Sequence, residues 1–221
     1  MKRDDPLWFL HEINWGLVDE IYLNRLEAQW AMVDALPEGA SMAFAQLALG
    51  MVDPHTNHCA DAHELGPKIL AENAGAAQRI WALAQHFEAL KEGGEVPAII
   101  EAAQISHLGV GIGSELACMI NPQVNWVARP RSIWAHFLIE LGGIHQAGGA
   151  VAAYRDTDLE SVGYWPRWRT VHREMGPNMQ RILEVSLKPA QRAKLDAPFL
   201  WVDAICDATY RKLAGPSGPT G

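Results

Sequence analysis

Residues 98–120 read AIIEAAQISHLGVGIGSELACMI, and this run decides the fold. It is the nearest thing in the chain to a membrane span. It carries Glu101, Gln104, His107 and Glu115, which are expensive to place in lipid. A helix buried in a water-soluble protein can satisfy the same groups with hydrogen bonds. Ala, Leu, Glu and Gln dominate the periodic segments, and strict alternation of Val, Ile, Tyr and Thr is nearly absent. The expectation is an all-α protein, a compact single-domain multi-helix bundle of about seven helices. Residues 1–213 form the helical domain in this reading, and 214–221 form a disordered tail of turn residues.

Outward from that run, proline and glycine set the boundaries. Asp5 and Pro6 start a first helix that Pro37 and Gly39 stop. Phe9, Ile13, Leu17, Ile21, Leu23, Leu26 and Trp30 follow its apolar period, and Glu20 and Glu27 are expected to face solvent. Further helices are predicted over 41–50, 67–90, 97–120, 132–141, 168–187 and 190–213, with a short piece at 150–154. The breaks are KEGGEVP (91–97), NPQVNWVARPRS (121–132) and GGIHQAGG (142–149).

Lys and Arg number 18 against 26 Asp and Glu, a net charge of -8. That balance disfavours nucleic acid and anionic membranes as partners. The three cysteines, Cys59, Cys118 and Cys206, are odd in number and far apart, so no disulfide framework is expected. The start, MKRDDPLWFLHEINW, lacks the apolar core of a secretory leader, which points to a cytoplasmic setting. Nine tryptophans suggest more apolar surface than one copy covers, and so a homodimer.

Two apolar segments each carry a histidine and a carboxylate. His107 and Glu115 lie eight residues apart, roughly two helical turns, and His136 and Glu140 lie four apart. Histidine nitrogen with carboxylate oxygen is a ligand set for iron, manganese or zinc, and facing helices are a natural place for it. The expected function is an oxidoreductase dependent on iron, manganese or haem, acting on a small aromatic or apolar substrate. His107 and Glu115 would be catalytic as well as ligands, with His136 and Glu140 completing the metal set. Arg129 and Arg131, beside the helix start at Ser132, would hold an anionic group, and Trp134 would help wall the cofactor. The competing expectation is a non-enzymatic helical module that binds a ligand or partner, in which these polar groups satisfy one another.

A third reading rests on HTNHCADAHE, 55–64. If 58–65 is helical, Cys59 and His63 share a face, and the imidazole would favour a nucleophilic thiolate. CADAH, 59–63, resembles the second half of the Cys-x-x-Cys-x-x-x-His pattern in redox members of the alkylhydroperoxidase and carboxymuconolactone decarboxylase superfamily, which are helical proteins. The first cysteine of that pattern falls on Thr56, so a disulfide cycle would need Cys118 or Cys206. GVGIGS, 109–114, lacks the spacing of a phosphate loop, and its glycines are read as packing positions. Asp203, Asp207 and Arg211 read as the polar stripe of an ordinary last helix.

Overall fold

The structure, a computed structural model, describes residues 5–52, 60, 64–155 and 163–214. Among these the regular elements are eleven α-helices and short 3-10 turns, with no strand. The helices are α1 (Trp15–Ala35), α2 (Ser41–Ala48), α3 (Leu65–Glu72), α4 (Ala76–Ala89), α5 (Val96–Ala103), α6 (Val110–Ile120), α7 (Pro130–Leu141), α8 (Ile144–Arg155), α9 (Tyr164–Ser186), α10 (Pro189–Arg192) and α11 (Pro198–Leu213). The predicted tail, from residue 215 on, lies outside the described residues.

The all-α expectation holds, and the count of about seven is too low because long predicted helices are split. The first begins at Trp15, not Pro6, because the Asn14 side chain accepts from the Gly16 N–H and caps α1 there. The 67–90 run breaks at Gly75, which takes a left-handed φ of 66° that costs glycine little. The 97–120 run breaks at 104–109. Gln104 closes α5 in the left-handed region and Gly109 restarts the chain as α6. A last split separates α10 from α11. In the other direction, α8 runs through the two glycines at 148 and 149 that were expected to interrupt it.

One contiguous hydrophobic core runs through the molecule. Its axis is α6, of which Val110 and every residue from Ile112 to Ile120 are buried. Helices α1, α4, α5 and α11 pack around it. Gly113 lets α5 come close, since a Cβ there would sit 2.4 Å from the Ile100 Cδ1. Trp126 is enclosed in the same manner by Gly93 and Gly176, where added Cβ atoms would lie 2.8 Å from its ring. None of the described helices is long and apolar enough to cross a membrane.

Candidate functional site

A cleft of about 780 Å³ opens between α3, the α5–α6 turn and the start of α9. Its floor is apolar, from Ile100, Ile105 and Leu108, and the half-buried Trp165 forms a wall. Lys68 and Glu72 reach it from α3, and Glu101 reaches it from α5. His107 lines it from the turn. Its Nε2 lies 2.7 Å from the Glu72 Oε2. An ionised carboxylate can only accept, so His107 donates from Nε2, and in the neutral ring that leaves the lone pair on Nδ1.

This turn is held in an unusual shape. Three non-glycine residues have positive φ among those described: Glu64 at 50°, Gln104 at 51° and His107 at 67°. Two of them line the cleft, and the third caps the start of α3. Residues other than glycine enter this region at a cost that surrounding contacts must offset. Asn73, buried at the end of α3, supplies those contacts. Its Oδ1 accepts from the Ser106 N–H at 2.8 Å, and its Nδ2 donates to the Ser106 carbonyl at 3.2 Å and the Ile69 carbonyl at 2.9 Å. Arg79 donates to the Ala103 carbonyl from the other side. Lys68 is exposed and has no acidic partner among the described residues. Glu101 is paired with Arg169 at 3.0 Å.

Glu115 lies elsewhere. It is buried in α6 and takes Arg25 of α1 at 2.9 Å and Arg129, at the head of α7, at 3.8 Å. Arg129 also grips both oxygens of Asp203, from Nε at 3.1 Å and Nη2 at 2.9 Å. Arg25 reaches the same carboxylate at 3.0 Å. Asp207, one turn further along α11, takes Arg131 and also Arg211 at 3.1 Å. Burial alone would push its carboxyl up, but Arg129, Arg131 and Arg211 outweigh it and hold it below the ordinary 3.8. Asp203 and Asp207 are thus buried network members, not an ordinary exposed stripe. The network ties α1, α6, α7 and α11 together, and the carboxylates already engage Arg129 and Arg131, the expected anion holders.

His136 and Glu140 form a third place. Both contact Asn178 of α9, His136 through Nδ1 at 2.9 Å and Glu140 through Oε1 at 2.6 Å. Burial lowers the His136 pKa against the opposing pull of Glu140 and Glu174. Trp134 is 1% exposed and meets Tyr210 edge-to-face at 5.5 Å, so it serves the core. Cys118 and Cys206 are fully buried, and burial pushes both thiols well above 9.0. Cys59 and His63 lie outside the described residues.

No protein-family model, no curated protein and no solved structure matches this chain.

His107, Glu115, His136 and Glu140 therefore occupy three separate places, and among the described residues no group of three or more His, Cys, Asp or Glu could hold a metal ion. His107 and Glu115 do not share a helix face, because the break at 104–109 puts His107 ahead of α6. The sequence reading missed Glu72, Asn73 and Lys68. Nothing in their spacing signals that α3 folds against a turn more than thirty residues on, as the Asn73–Ser106 pairing requires. Arg25 did carry a signal. It falls on the stripe Val18, Ile21, Tyr22, Met32 that α1 buries, where a lone base demands acidic partners.

Proposed function

We propose that the chain is an enzyme acting by proton transfer on a small planar anion bound in the cleft. The observation that carries this is the His107–Glu72 contact at the wall of this cleft. A carboxylate that fixes one ring nitrogen leaves the other as a general base, and it stabilises the imidazolium that forms when a proton arrives. The Trp165 wall suits a flat apolar body, and Lys68 suits a carboxylate. The concentration of left-handed backbone around the cleft also supports a functional site, since strain of this kind gathers where geometry is imposed for chemistry. Glu115, Arg129, Arg131, His136 and Glu140 have structural partners and enter no step of this reading.

The test is solvent exchange. Keto acids and aromatic carboxylic acids with an acidic C–H are incubated with the protein in deuterium oxide and followed by proton NMR. Loss of the C–H signal from one compound class is expected, slowed by about 10²–10⁴ in His107→Gln. Exchange that proceeds at the wild-type rate in His107→Gln overturns the proposal.

A further inference from the structure

On the side of α5 turned away from the cleft lies a second hollow, a trough of about 650 Å³ between α4 and α5. Ile100, Glu101 and Gln104 line the cleft, whereas Ala98, Ile99, Ala102 and Ala103 line the trough. From α4, positions 79, 82, 83 and 86 line it at the three-and-four spacing of one helix face. That face spans seven residues, about 10 Å along the axis. Buried Leu83 and half-buried Ile99 give an apolar floor, which the short alanine side chains around it do not cover. The two ends differ in charge. Arg79 stands at one end, where it donates to the Ala103 carbonyl, and Glu95 stands with His86 at the other. Arg79 is half-buried and has no acidic partner among the described residues. A guanidinium has five donors, and the carbonyl takes one of them. A charge partly withdrawn from water in this way calls for an anion.

We infer that the trough binds a straight-chain monocarboxylic acid, with its carboxylate on Arg79 and its chain along the alanines. The length of the trough sets the chain, since about 10 Å accommodates roughly eight extended carbons. Among the described residues no aromatic ring lines the trough, in contrast to Trp165 in the cleft, so an aliphatic body fits it better than a flat one. The planar fork of a guanidinium matches a carboxylate. Glu95 sets the direction, because a carboxylate at that end would meet a like charge. Glu95 is itself exposed and solvated, which leaves half-buried Arg79 as the stronger anchor. The site is separate from the cleft and does not rest on the proton-transfer reading.

The full chain, methyl-labelled at alanine and isoleucine, is titrated with sodium octanoate below its micellar concentration and followed by NMR. Saturable shifts are expected at the methyls of Ala82, Ala98, Ile99 and Ala102. Affinity should rise about threefold with each CH₂ from butanoate to octanoate and level off beyond it. Octanol should bind about tenfold more weakly than octanoate, and Arg79→Gln should remove that difference. Arg79 also holds the end of α5, so a second variant leaves it in place. Ala102 is exposed, and Ala102→Leu fills the trough with its side chain. With circular dichroism unchanged, this variant should bind octanoate about tenfold more weakly. Octanoate shifts confined to other faces, or equal affinity in folded Ala102→Leu, overturn the inference. Octanol or octylamine binding as tightly as octanoate also overturns it, because Arg79 then selects nothing.

Discussion

Acidification should destabilise the protein chiefly through one side chain, His172. This residue is fully buried in α9 and stacks on Trp126 at 4.8 Å. Neither ring nitrogen makes a hydrogen bond of good geometry among the described residues, and burial pushes the imidazole down from 6.5 to about 3 against the opposing pull of the nearby Trp126 backbone. The unfolded chain binds a proton near 6.5 that the native state refuses until about 3. Stability is therefore fully present above 6.5 and is lost as pH falls towards 3. At about pH 5 the loss is about 1.5 units at roughly 1.36 kcal/mol each, or about 2 kcal/mol relative to about pH 7.5. His136, also lowered by burial, adds in the same direction. Asp207 does not enter this window, because its folded value lies below 3.8 and its contribution is lost only as pH falls through that lower range. Urea unfolding of wild type and His172→Phe at both pH values isolates the effect. Phenylalanine keeps the ring stack, and any packing change cancels when the pH-induced drops are compared. The wild-type drop should exceed the variant's by about 2 kcal/mol. Equal drops would refute the assignment of a neutral buried imidazole.

Asp203→Asn removes a charge from between Arg25 and Arg129 and should cost about 3–5 kcal/mol in urea unfolding. Asn73→Ala breaks the pairing with Ser106 and should cost about 1–3 kcal/mol, with faster amide exchange at Ser106 in hydrogen-exchange NMR. Gly113→Ala should cost about 1–3 kcal/mol, because its Cβ meets Ile100 and forces α5 away from α6. Iodoacetamide near neutral pH should leave Cys118 and Cys206 unmodified in the folded protein and alkylate both once urea is added, as read by peptide mass.

The helical class was legible because it follows from composition and period, which average over many residues. The number of helices was not, because each extra break is a local event. Gln104 and His107 take left-handed backbone that their side chains do not announce, and the turn is held from outside by Asn73 and Arg79. The same break decided the fate of the site. Counting eight residues from His107 to Glu115 implies one helical face only if the helix is continuous, and Gly109 shows where it is not. The first helix misled in a different way. Leu23 and Trp30 fit an apolar period, yet they lie on the outer face, while Arg25 lies on the inner one. Hydropathy alone does not rank these positions, because a paired arginine can be buried and a tryptophan can stay half exposed.

The cleft as a ligand site is tested most directly by mapping bound small acids onto the protein by NMR. With isotope-labelled protein, planar carboxylic acids should shift the resonances of Lys68, Ser106, His107 and the Trp165 indole, and Lys68→Ala should weaken the acids but not their neutral amides. Shifts confined to other faces of the molecule, or an affinity for the acids that Lys68→Ala leaves unchanged, would contradict the assignment of this cleft.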